Sequence, residues 1–256
     1  MSFIKESIYN FLDLVTLKKG RARRINEFDI RFPIRYYRYY EDGYEKDTFS
    51  YFEKIIKPND TILDIGAHIG LFSVFFSKKL SDKGRVICFE PTPGTFQILE
   101  KTAELNDLKN CTLVNAAIAD KSGSLNFNLT SSDGEGSNAN SLVHTERTVN
   151  VTKVKVFSID DYRRAEKLKI NILKIDVEGY ELNALIGAKE TFDQDKPSGI
   201  LALHPESIKE LGQTLEQIWD ILEKYKCKVE YRGVPIPKEE FCSKELLFDV
   251  EFKCEK

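Results

Sequence analysis

The sequence contains no run of about 18 to 20 apolar residues, the length a helix needs to span a bilayer. Its longest apolar stretches, such as Gly70-Leu-Phe-Ser-Val-Phe-Phe76, are strand-sized, so no transmembrane segment is expected. C-x-x-C pairs are also lacking. The five cysteines (Cys88, Cys111, Cys227, Cys242 and Cys254) are odd in number and scattered, which indicates neither a zinc cluster nor a redox pair and reads as reduced thiols in a cytoplasmic protein. An excess of positive charge is missing too. Lys and Arg total 38 against 41 Asp and Glu, for a net charge of −3, which gives no field to attract a polyphosphate and excludes nucleic acid as the default partner. The apolar positions Ile4, Ile8, Leu12 and Val15 are interrupted by Lys5, Glu6 and Asp13, so the first residues do not read as an export signal. What remains is an ordinary globular composition, 41% hydrophobic and 31% charged over 256 residues. It suits one α/β domain with a terminal extension and excludes the disordered, collagen-like and disulfide-scaffold classes.

Residues 3 to 17 have helical periodicity and run into the basic segment Lys18 to Arg24. The preferred reading is an amphipathic lid with a solvated basic tail, and the alternative is contact with an anionic membrane surface or a partner helix, including that of a second copy. Residues 28 to 40 alternate apolar, basic and tyrosine positions and are followed by the turn residues Glu41-Asp-Gly43, a pattern that predicts a hairpin. Its tyrosines are read as strand composition in preference to a stacking platform. We therefore divide the chain into an extension over 1–56 and a cofactor-binding domain over 57–256.

From residue 60 onward β-like and helical stretches alternate: Thr61 to Ile65, a helix to Leu80, Arg85 to Phe89, and a helix over about 95–106. Next are Cys111 to Asn115, strands near 123–129 and 149–157, Ile170 to Ile175, a helix over 180–192 and Gly199 to Leu203. Most of these strands are apolar throughout, which means a parallel sheet covered on both faces. After a helix over 215–225, two β-like stretches (226–232 and 246–253) are linked by about a dozen residues read as helix-free, which suits an antiparallel pair. The polar segment Ser131 to Ser141 is read as a loop over a site or simply exposed.

The first strand runs into Asp64-Ile-Gly-Ala-His-Ile-Gly70 and then a helix, the place where open α/β sheets bind ligands. A dinucleotide loop needs G-x-G-x-x-G to lay its amides on a pyrophosphate, but His68 stands where that pattern needs glycine. Asp64 would repel phosphate and suit a ligand bearing an ammonium and a sulfonium. S-adenosylmethionine is such a ligand. Glu90 in Phe89-Glu-Pro91, 20 residues after Gly70, is at the distance of an acid that binds ribose hydroxyls, and Pro91 restrains its backbone.

With Asn115-Ala-Ala-Ile-Ala-Asp120 and Lys174-Ile-Asp-Val-Glu-Gly-Tyr-Glu181 added, the sequence resembles the FkbM family of S-adenosylmethionine-dependent methyltransferases, closely from about 45 to 189. The resemblance implies a class I methyltransferase fold, with a seven-stranded, mostly parallel sheet whose last strand is antiparallel. It also implies methyl transfer to hydroxyls of sugars, polyketides or related small molecules. It places Asp64, Gly66, Ala67, His68 and Gly70 around the methionine part, Glu90 with Pro91 at the ribose, and Ala116 and Ala117 beside the adenine. His68 departs from the asparagine common in the family and is read as tolerated.

Lys174 and Asp176 are opposite charges where a doubly covered strand should be apolar, so they need partners or a task. We expect Asp176 at the cleft, accepting from the cofactor ammonium or the substrate, with Lys174, Glu178 and His204 as substrate contacts. Gly179 would permit a close turn, and Glu181 would only favour the helix start. His204, just after the fifth strand, is the expected general base with a pKa of about 6.5, oriented by Glu206; His144 is a weaker candidate. Asp176 and Glu178 holding magnesium to orient a diol is the less favoured alternative, because three oxygen ligands are not identifiable. A dehydrogenase and a nonenzymatic cofactor-binding module are the remaining alternatives.

Overall fold

The structure is a computed structural model that describes residues 19–131, 135–137 and 139–255; the helix expected over 3–17 lies outside them. The described residues open with a hairpin, β1 (Arg21–Ile25) and β2 (Phe28–Phe32), and α1 (Lys46–Ile55). The alternating units are β3 (Thr61–Ile65), α2 (Leu71–Lys79), β4 (Arg85–Phe89), α3 (Pro93–Leu105) and β5 (Cys111–Val114). Next come β6 (Ala117–Ile118), β7 (Gly123–Leu129), β8 (Asn150–Phe157), α4 (Ile159–Ala165), β9 (Ile172–Ile175), α5 (Glu181–Ile186) and α6 (Lys189–Asp195). The chain ends with β10 (Ser198–Leu203), α7 (Pro205–Glu210), α8 (Leu215–Lys224), β11 (Cys227–Tyr231), β12 (Val234–Pro235), α9 (Lys238–Cys242) and β13 (Phe248–Cys254).

The main sheet has the order β12-β11-β13-β10-β9-β3-β4-β5. Its five central and edge strands from β10 to β5 are parallel, and β13 runs antiparallel to both neighbours. This is the class I methyltransferase layout. The eighth strand beyond the expected seven is the two-residue β12, which turns back on β11 through Arg232 and Gly233. Strands β7 and β8 join β6 in a separate three-stranded sheet.

Burial on both faces explains the apolar strands. On one face, Phe49 and Phe52 of α1 and Phe72, Phe75 and Phe76 of α2 pack with Ile30 and Phe32 of the hairpin. On the other, Leu182, Leu185, Phe192, Ile218 and Leu222 cover Leu63, Leu173 and Leu201. Side chains alternate along a strand, so Ile62 and Asp64 face the aromatic layer while Leu63 and Ile65 face away from it.

Three expectations are corrected. The hairpin is formed by 21–32, and residues 34–38 are turns; Arg21, Arg23 and Arg24 take strand positions, and the tyrosine run falls after the hairpin. The link between β11 and β13 contains α9, whose Phe241 is buried in the core. Cys227 and Cys254 stand opposite each other in β11 and β13 and are disulfide-bonded, a pairing set by strand register and invisible at a separation of 27 residues. Cys88, Cys111 and Cys242 are free thiols.

Phe75 is fully buried with its ring centroid 4.7 Å from Phe49 and 4.8 Å from Phe28. Phe75→Ala should cost about 3 to 5 kcal/mol in urea unfolding, whereas Val149→Ala, at a residue 67% exposed, should stay within about 0.5 kcal/mol.

Candidate functional site

Parallel strands deliver the loops at their C-terminal ends to one edge of the sheet. There the segments after β3 (66–70), β4 (90–92), β9 (176–179) and β10 (His204) surround two adjoining clefts. The larger, about 470 Å³, is lined by Ala67, Lys174 and His204 on the sheet side and by Tyr39, Tyr40, Tyr44 and Glu45 from the segment before α1. The smaller, about 70 Å³, is lined by Glu90, Pro91, Ala116, Ala117 and Leu142. Gly66, His68, Asp176 and Glu178 border both and therefore mark where the two meet.

The loop after β3 is built by its glycines. Gly66 has a φ of 79°, and a Cβ there would lie 1.9 Å from the Asp176 carbonyl oxygen, so only glycine fits. The amides of Gly66 and Ala67 both donate to the Phe89 carbonyl (3.0 and 2.9 Å), and that of Gly70 to Ala67. The His68 amide donates to Glu90 Oε2 at 3.0 Å. A pyrophosphate would find these donors already engaged and carboxylates beside them.

Glu90 also accepts from the Thr92 amide at 2.8 Å, while Asn115 Nδ2 donates to the carbonyl of Glu90 at 2.8 Å. Burial raises Glu90 to about 7, against the pull of these hydrogen bonds and of Lys174. Burial lowers His68 to about 4, so its imidazole is neutral near pH 7, with Nδ1 2.8 Å from the Tyr40 hydroxyl.

Asp64 is fully buried and borders neither cleft. Its position in β3 turns it toward α2, where Ser73 donates to Oδ2 at 2.6 Å and Lys174 Nζ lies 3.8 Å from Oδ1. The expected contact between Asp64 and the methionine part is thereby corrected: Asp64 reaches the cleft only through Lys174. Gly70 likewise faces Leu99 and Thr102 of α3. Lys174 lies 3.3 Å from Asp176 Oδ2; burial opposes its charge, but Asp176, Asp64 and Glu45 overcome this and raise its pKa. Burial also opposes charge on Asp176, yet Lys174 and His204 hold it below the usual carboxylate range.

His204 is clamped between carboxylates. Nδ1 is 2.8 Å from Glu181 Oε1, and Nε2 is 3.3 Å from Glu178 Oε2 and 3.8 Å from Asp176 Oδ1. Burial works against protonation, but the hydrogen bonds and charges of Glu178 and Glu181 prevail and raise its pKa to about 11. This lies well above the ordinary value expected for a base here, and the acid that meets the ring is Glu181, not Glu206. His144 bonds Asn128 at 3.1 Å, away from both clefts. The ligand atoms of Asp176, Glu178 and His204 lie within 4.8 Å of one another, but Lys174 Nζ already lies 3.3 Å from Asp176 Oδ2, and magnesium prefers an all-oxygen shell to one that includes an imidazole. This donor set does not favour the magnesium alternative.

Sequence reasoning brought Gly66, Ala67, His68, Glu90, Pro91, Ala116, Ala117, Lys174, Asp176, Glu178 and His204 to the cleft region. It missed Tyr40, Glu45 and Asp249 at the larger cleft, and it gave Glu181, which lies behind His204, only a helix-start role. Glu45 adopts a left-handed backbone (φ 45°), and burial raises its carboxyl to about 7; the tyrosine run just before it was the available signal.

A doubly wound sheet with β13 inserted antiparallel and two clefts at the parallel strand ends define a class I methyltransferase fold. The chain belongs to the FkbM methyltransferase family, whose domain model matches residues 64–229. It is 25% identical over 199 residues to the hexuronic acid methyltransferase AglP of Haloferax volcanii, covering 73% of this chain and 77% of that one. It is 27% identical over 154 residues to the 2-O-methyltransferase NoeI of Sinorhizobium fredii, covering 55% of this chain and 62% of the relative. A solved precorrin-6y C5,15-methyltransferase from Geobacter metallireducens aligns with a TM-score of 0.47 at 14% identity, over 83% of this chain and 88% of that one. Among the described residues no helix is long and apolar enough to cross a membrane.

Gly66→Ala should destabilise the fold by at least about 2 kcal/mol, since it adds a backbone clash to left-handed strain. Gly212→Ala, with φ of 68° but open space around it, should cost only about 1 to 2 kcal/mol in the same chemical-denaturation measurement.

Proposed function

We propose that the protein is an S-adenosylmethionine-dependent O-methyltransferase acting on a hydroxyl of a small molecule or glycan. The observation that carries this reading is the junction of the two clefts, where Glu90, Asp176 and Glu178 converge on a loop whose amides are already engaged. Such a site disfavours phosphate and favours a cationic, phosphate-free donor. In this reading Glu90, next to Pro91, accepts from the ribose hydroxyls, Ala116 and Ala117 border the adenine, and the ammonium group lies toward Asp176. When bound, the donor supplies an electrophilic methyl group.

The chain's own part is to position. His68 and Glu178 stand where the clefts meet, and the tyrosines and Glu45 close the larger cleft from the side opposite the sheet. Alignment of reacting groups in a cleft can lower a barrier by roughly 7 to 11 kcal/mol at best. The names of the relatives, a hexuronic acid methyltransferase and a 2-O-methyltransferase, support a saccharide or polyol acceptor. After incubation with labelled donor and a set of glycosides, the label should appear in an alkali-stable ether. An alkali-labile ester would overturn the hydroxyl target.

Calorimetry should show uptake of S-adenosylhomocysteine and none of NAD. Glu90→Gln should weaken that uptake by roughly tenfold or more, as expected for hydrogen bonds to a charged group. Because both Glu90 oxygens already accept amide protons, the ribose needs the ionised form; protonation at about 7 and below removes it. Affinity should therefore fall as pH drops, by roughly 30-fold between about pH 8 and pH 5.5.

A further inference from the structure

Glu181 is fully buried at the start of α5. Its Oε1 accepts from the Gly179 amide at 2.9 Å and meets His204 Nδ1 at 2.8 Å. The opposite ring nitrogen faces Glu178 Oε2 at 3.3 Å. An ionised carboxylate can only accept, and a neutral imidazole has a single N–H. With an acceptor at each end, a neutral ring would turn one lone pair against a carboxylate, so the geometry is satisfied by a ring with two protons.

We propose that Glu181 is a positioning residue that holds His204 as a fixed imidazolium aligned on Glu178 and Asp176, so that the proton of the acceptor hydroxyl goes to Glu178 and not to the histidine. This deepens the methyltransferase reading and rests on it. Glu178 borders both clefts, and among the described residues no lysine pairs with it, whereas Lys174 neutralises Asp176. The step balances. The hydroxyl O–H bond breaks, its proton passes to the Glu178 carboxylate, the oxygen bonds the methyl carbon, and the electron pair of the broken S–C bond stays on sulfur. The positive charge lost by the donor matches the negative charge lost by Glu178. Burial raises the Glu178 carboxyl, which suits it to take a proton, while the imidazolium opposes that rise and fixes its direction.

The groups that act on His204 are Glu181 from α5, Asp176 and Glu178 from the segment after β9, and Asp249 from β13. All are acids, and together they outweigh the burial that opposes a charge on the ring. Glu181 is the one among them that is fully buried and borders neither cleft, which separates its effect from direct contact with a ligand.

The test is long-range proton–nitrogen NMR of the histidine rings in the full chain, with and without S-adenosylhomocysteine. In the wild type, His204 should keep both ring protons from about pH 5.5 to about pH 9. In Glu181→Gln it should lose one within that range, and Glu181→Asp should restore the wild-type behaviour in part. Affinity for S-adenosylhomocysteine should change less than about threefold in Glu181→Gln. A wild-type ring that titrates at its ordinary value, or a Glu181→Gln ring whose titration does not move even if the melting temperature falls, would overturn the proposal. Should Glu181→Gln fail to fold, Glu178→Gln reads the same ring: removing that acceptor should also bring its titration into the window, and no movement would overturn the assignment. Absence of S-adenosylhomocysteine uptake would instead sink the donor reading, while the ring titration in the free protein still decides the role of Glu181.

Discussion

The structure depends on a buried ammonium. Lys174 sits within the sheet, between Asp64 on one neighbouring strand and Asp176 just past the end of its own, on the face covered by a layer rich in phenylalanine and isoleucine. Taking such charges out of water is expensive, and removing one partner of a buried pair typically costs about 3 to 5 kcal/mol. The arrangement persists because each charge is answered: Asp64 by Ser73 and Lys174, and Asp176 by Lys174 and His204. The Asp64–Lys174 register also joins β3 to β9, so the same pair that satisfies the interior places the two cleft-forming loops side by side.

Charge then propagates outward in layers. Lys174 holds Asp176 ionised at the cleft, His204 is held by Glu178 and Glu181, and Glu90 closes the loop after β3 by receiving the His68 amide. Cations are the minority at the junction of the clefts, and those present are already bound to acids. This asymmetry separates the site from dinucleotide sites on similar sheets, where open amides at a helix N-terminus meet phosphate. Here Phe89, Ala67 and Glu90 consume those amides.

The segment before α1 completes the enclosure. Tyr40 reaches His68, the rings of Tyr39 and Tyr44 flank Tyr40, and Glu45 faces the charges at the strand ends. The aromatic face formed by α1, α2 and the hairpin anchors this segment, so packing of the core and shape of the cleft are linked through Phe49 and Phe72.

Periodicity and spacing alone determined the alternating architecture, the glycine loop, the acid at residue 90 and the charged strand Ile172–Ile175, because these depend on local pattern and on distances along the chain. Tertiary structure decided the rest. Asp64 was legible as an acid beside the loop, but the parity of β3 turned it inward. Glu181 looked like a helix-start residue until β10 brought His204, 23 positions later, against its carboxylate. Cys227 and Cys254 became a pair only when β11 and β13 aligned. In each case the deciding quantity is which face a side chain takes and which distant segment meets it, and that is set by strand order and register, which no local pattern encodes.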